Sequence, residues 1–152
     1  MKSDEPHQVH VLRPLSEAPT VSLTELGTGG AEEAISNAIF HLLRVHAGRA
    51  PTTARTVLAS DLAVVTLRGC LTTVERTLAD LGETGMVMEV RAALHDVIRA
   101  EATAAVEEIT GRRVLAYLTD QEHEPDVAII AFVLWSPQPH GPWADSRSHP
   151  VA

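Results

Sequence analysis

Apolar residues recur along this chain at two spacings, every third or fourth residue and every second, and the switches between them mark out seven elements. A helix is expected over 31–47, where Ile35, Ile39, Leu42 and His46 share one face with Ala38 and Leu43 beside them. Glu32 and Glu33 suit its positive N-terminal end, and Gly48 suits a left-handed stop. His41 and Arg44 fall on the outer face. Residues 53–59 and 62–68 are rich in β-branched side chains around a Ser60-Asp61 break, which reads as a hairpin. In the second strand Ala63, Val65 and Leu67 lie on one face and Leu62, Val64 and Thr66 on the other, so a central strand is expected.

The second half repeats the alternation. Thr72 and Glu75 have capping-box spacing ahead of a short helix over 73–81, closed by Gly82. A long helix over 86–110 would measure roughly 37 Å at the standard rise. Its expected stripe is Met86, Val90, Ala93, Leu94, Val97, Ile98, Val106 and Ile109. The stretch 101–105 is poor in large apolar groups, so there the helix is expected to lift off the core or meet another subunit. Strands over 113–119 and 126–134 follow, joined by an acidic loop at 120–125. The order α-β-β-α-α-β-β indicates an α+β fold, a mainly antiparallel four-stranded sheet with helices on one face. Helix, Gly48-Arg49 and hairpin are echoed by helix, Gly111-Arg112 and hairpin. Prolines and glycines make 1–30 a flexible N-terminal tail and 136–152 a Pro-rich C-terminal one, leaving a single domain at 31–135.

Composition narrows the function classes. The chain is 45% apolar but 3% aromatic, so the core must be aliphatic. A formal net charge of −8 argues against general affinity for nucleic acid or anionic lipid, both of which need a positive surface. The single cysteine, Cys70, permits no internal disulfide and no Cys-based zinc site, and is expected to be buried. The start of the chain lacks a signal-peptide core, and the longest apolar run, 127–135, is too short to span a bilayer. Direct membrane insertion is therefore not expected, and a cytoplasmic location is.

Few residues suggest chemistry. Gly82-Glu83-Thr84-Gly85 has the spacing of a GxxG loop between two helices, the device with which KH domains clamp a nucleic-acid backbone. Glu83 places a negative charge where phosphate would lie, and the competing reading is a plain helix–helix turn. His123 lies among Asp120, Glu122, Glu124 and Asp126, with no second histidine near enough in sequence to complete a transition-metal site. His41 and His46 are five apart and do not share a helix face. Arg49, Arg55, Arg68, Arg112 and Arg113 sit at strand ends and starts, and side-by-side hairpins could gather several into an anion or partner site. No H-E-x-x-H, nucleophile elbow or P-loop is present in the sequence. The expectation is a protein without enzymatic activity or cofactor.

Several stretches resemble a bacterial family first catalogued as a domain of unknown function and labelled MpsC-like, after a Na+-translocating membrane-potential-generating system. They are Ile35-Ser36-Asn37-Ala38, Gly48-Arg49-Ala50-Pro51, Leu67-Arg68-Gly69, Leu71-Thr72-Thr73-Val74-Glu75-Arg76-Thr77-Leu78, Glu107-Glu108-Ile109-Thr110-Gly111-Arg112 and the strand from Asp126 to Leu134. They keep their order over about two thirds of the chain. Thr73 departs from the proline more usual in the L-T-P-x-E stretch, which leaves the capping role of Thr72 intact. The resemblance implies a small accessory partner of membrane machinery linked to ion or inorganic-carbon uptake, with no catalytic residue to carry over. A membrane transport subunit is the partner it implies. The doubly apolar last strand and the alanines at 102, 104 and 105 add the expectation of a homodimer.

Overall fold

In a computed structural model the described residues are 28–137. The expectations for the tails at 1–27 and 138–152 lie outside them. Helix α1 spans Thr28–Ala47, strands β1 and β2 span Thr53–Leu58 and Leu62–Arg68, helices α2 and α3 span Thr73–Asp80 and Thr84–Thr110, and strands β3 and β4 span Val114–His123 and Asp126–Leu134. The strands form one antiparallel sheet in the order β1-β2-β4-β3, so β2 and β4 are central. Both carry an inward apolar row: Ala63, Val65 and Leu67 on β2, and Ala128, Ile130, Phe132 and Leu134 on β4. Val65 and Leu67 are 0% exposed. Helices α1 and α3 close over that row and pack on each other, completing the core with Ile35, Ile39, Leu42, Leu43, Ile98 and Val106. This is the expected α+β layering.

The echo between the halves has a structural counterpart. Each half is a helix, a left-handed glycine, an arginine and a hairpin, with φ of 71° at Gly48 and 63° at Gly111. Exchanging β1 with β3 and β2 with β4 leaves the strand order unchanged, as a twofold repeat about the sheet centre requires.

Four expectations about the elements are corrected. Helix α1 begins three residues early and takes in Gly29 and Gly30; the entropic penalty of about 1 kcal/mol per glycine weakens a helix end without forbidding it. Strand β3 runs on through Asp120, Gln121, Glu122 and His123, so the acidic loop shrinks to the Glu124-Pro125 turn. Charged residues are poor strand formers, but β3 is an edge strand whose polar side chains reach water while its backbone pairs with β4. The long helix also stays on the core through 101–105. Ala102 is fully buried, its small side chain admitting close approach, and His46 Nε2 meets Glu101 Oε1 at 3.0 Å.

The buried face of α3 differs most. Val87, Arg91, His95, Ile98, Ala102 and Val106 form it, while Met86, Val90 and Val97 are exposed. The apolar stripe is displaced because the two polar side chains find partners inside.

Candidate functional site

Three of the stretches singled out in the sequence, those holding Gly69, Leu71 to Leu78 and Asp126, meet at the loop between β2 and α2. The Asp126 carboxylate accepts the N–H groups of Cys70 and Leu71, each at 2.9 Å, and the Asp126 carbonyl accepts that of Gly69. Gly69 has φ +64°, and a Cβ there would collide with Thr52 Oγ1, so glycine is required on both counts. Thr72 and Glu75 form the expected capping box: Glu75 N donates to Thr72 Oγ1, and Thr72 N donates to Glu75 Oε2 at 2.7 Å. Arg76 Nη2 donates to the Leu71 carbonyl.

Arg91 locks this loop to the sheet. It is 2% exposed, with Nε donating to Gln121 Oε1 at 3.0 Å, Nη1 donating to the Cys70 carbonyl at 3.2 Å, and Nη1 lying 3.9 Å from Glu75 Oε1. One turn on, His95 Nδ1 is 3.2 Å from the Tyr117 hydroxyl. Burial lowers the His95 pKa to about 4, with the Arg91 charge adding to the effect and Asp96 opposing it. Burial pushes Tyr117 up to about 12, against the pull of Arg99, whose guanidinium lies 5.2 Å from the ring centroid. Cys70 is buried as expected, and burial raises its thiol pKa despite the opposing charge of Arg91. Arg91 Nη2 and His95 Nε2 are buried without a hydrogen-bond partner among the described residues.

The helical layer carries an apolar groove of about 300 Å³. Val74, Leu78, Val87, Val90 and Leu94 line it, and His46, Thr72 and Glu75 add polar atoms. Val74 and Val90 remain 70% and 51% exposed beside it. The capping box sets the direction of α2, so the same loop network shapes one wall of this groove.

The five arginines separate into two groups. Arg68 pairs with Val127 and Thr53 at one end of the sheet, and the Thr52 N–H bonds the Arg68 carbonyl there; Arg49 precedes that segment. Arg55 lies on the exposed sheet face two residues along β1. Arg112 and Arg113 are at the opposite end, where Arg112 donates to the Ser60 carbonyl and the Arg113 carbonyl accepts the Trp135 N–H. The side-by-side hairpins therefore bring Arg55 and Arg68 toward one end of the sheet and leave Arg112 and Arg113 at the other. A shallow hollow of about 330 Å³ is lined by Glu107, Gly111, Arg112 and Arg113, joining two of them with a carboxylate.

Gly82 and its neighbours form a helix stop. Gly82 N–H bonds the Ala79 carbonyl and Glu83 N–H the Leu78 carbonyl, the paired bonds of a Schellman motif, with φ +85° at Gly82. Thr84 and Gly85 already belong to α3, so only Glu83 lies between this stop and α3. His123 ends β3 opposite Asp126. Among the described residues no group of three or more His, Cys, Asp or Glu is placed to hold a metal ion.

The MpsC family model, described as Na+-translocating membrane potential-generating system, matches residues 28–136. The chain belongs to the MpsC family. The matched span coincides with the folded unit and contains the loop network, the groove and both arginine groups. No curated protein and no solved structure matches this MpsC chain.

The sequence reading missed Arg91, Gln121 and His95 as members of the network. An arginine four residues before a histidine within a helix was the one available signal, since i and i+4 share a face. Nothing local indicated that this face would be buried.

Proposed function

We infer that this MpsC chain is a non-enzymatic accessory or regulatory protein of a membrane ion- or inorganic-carbon-transport system, acting by contact with a membrane transport subunit. Family membership over the whole folded unit is the observation that carries the reading. Two features support it. No helix among the described residues is long and apolar enough to cross a membrane, which is compatible with acting by contact with a membrane subunit. The groove between α1, α2 and α3 offers an apolar surface that a helical segment of a transport subunit would fit. The buried polar groups are engaged in holding the loop and helices, a use that serves a rigid docking surface.

Affinity capture of the full chain from detergent-solubilised membranes of its own host tests the reading. Recovery of an ion- or bicarbonate-transport subunit is expected, and Val90→Asp or Val74→Asp should abolish it while leaving the circular dichroism spectrum unchanged. Wild-type and variant chains recovering the same proteins, none of them a transport subunit, would contradict it.

A further inference from the structure

Helices cover one face of the sheet, and no described element covers the other. Following the strand order β1-β2-β4-β3, paired residues stand across this outer face in rows. One row is Thr53, Arg68, Val127, Glu122 and the next is Arg55, Thr66, Ile129, Asp120. Beyond them come Val57, Val64, Ala131, Leu118, and then Leu62, Val133, Ala116. Charge on the face is sorted, with basic groups on β1 and β2 and acidic groups on β3. The other half is apolar, and Val57 and Leu118 are each 58% exposed. None of Arg55, Arg68, Asp120 and Glu122 makes an ion pair among the described residues. Asp120 Oδ1 accepts only the adjacent Gln121 N–H.

We propose that this face packs against the same face of a second copy, about a twofold axis lying between the two sheets and parallel to their strands. Such a rotation exchanges the two sides of the sheet and keeps each row level. Arg55 of one copy then lies over Asp120 of the other, and symmetry makes the contact twice. Thr53 lies over Glu122, with Arg68 one strand away, and the apolar rows meet each other. The alternative axis, perpendicular to the strands, turns the rows end for end. It would press Arg55 on Val57 and Arg68 on Leu62, placing unpaired charge on hydrocarbon. Charge complementarity therefore selects both the occupant and the axis. Face-to-face sheets pack about 10 Å apart and within about 30° of alignment, which their twist permits. The inference is independent of the transport reading.

Sedimentation velocity of the full chain at micromolar concentration tests it. A particle of twice the 16.3 kDa chain mass is expected, weakening as salt is raised. Arg55→Glu and Asp120→Arg should each raise the dimer dissociation constant about ten-fold or more, because each puts like charges together twice. Mixed in equal amounts, the two variants should dimerise again, since both cross-interface contacts then join opposite charges. All these positions are exposed, so circular dichroism spectra should match the wild type. A chain that stays monomeric would overturn the proposal, as would a dimer indifferent to both reversals or variants that fail to rescue each other. A full chain that is monomeric until residues 138–152 are deleted would assign the face to that segment, and would also overturn it.

Discussion

Replacing Arg91 by alanine removes a side chain that joins α3, β3 and the β2–α2 loop. The loss leaves Gln121 Oε1 and the Cys70 carbonyl without their donor and strips the 7%-exposed Glu75 of its nearby positive charge. Breaking a buried charged pair by removing one partner costs about 3–5 kcal/mol, most of it from the groups left behind. At about 4 °C per kcal/mol for a domain of this size, the midpoint should fall by about 12–20 °C. The double variant Arg91→Met with Glu75→Gln should lose less than Arg91→Ala, because no buried charge is then stranded. Arg99→Ala, which breaks an ion pair whose two side chains are 56% and 73% exposed, should cost no more than about 1 kcal/mol. Urea unfolding followed by circular dichroism, with m held constant, gives all three values. An Arg91→Ala variant within about 1 kcal/mol of wild type would refute the view that this network fixes the loop.

Protonation of His95 supplies a second test. Its folded pKa of about 4 lies below the unfolded 6.5, so its neutral form is favoured in the fold. Stability should be unaffected by this group above pH 6.5 and fall as pH drops towards 4, by about 3 kcal/mol in total. His95→Gln should flatten that part of the profile relative to wild type. Tyr117 is the sole tyrosine, so the rise in absorbance at 295 nm as pH is raised reports it alone. The tyrosinate signal should appear near pH 12 or with alkaline unfolding, and titration near 10 would contradict its burial. Cys70, the sole cysteine, should react with a thiol reagent far more slowly in the folded chain than in urea. Gly69→Ala should destabilise by about 1–3 kcal/mol in chemical denaturation, from the left-handed φ and the collision with Thr52.

The fold was legible wherever local pattern and burial agree. Thr72 and Glu75 announced the capping box, Gly48, Gly82 and Gly111 announced helix ends, and the doubly apolar β2 announced a central strand. Reading failed where a long-range contact decides. The buried face of α3 carries Arg91 and His95 because Gln121 and Tyr117, 30 and 22 residues away in sequence, supply their partners. The extension of β3 through Asp120 to His123 depends on pairing with β4, which no local preference of those residues reveals. The arginines drew notice as a set, yet strand direction sends Arg68 and Arg112 to opposite ends of the sheet. The apolar groove was invisible for a related reason: Val90 reads as a core position by spacing and is left 51% exposed beside it.

The most direct test of the transport role is the sodium-dependent membrane potential of host cells lacking this chain. The potential should fall on deletion, recover with the wild-type chain, and fail to recover with Val90→Asp expressed at the same level. A potential unchanged by deletion, or restored fully by Val90→Asp, would contradict it.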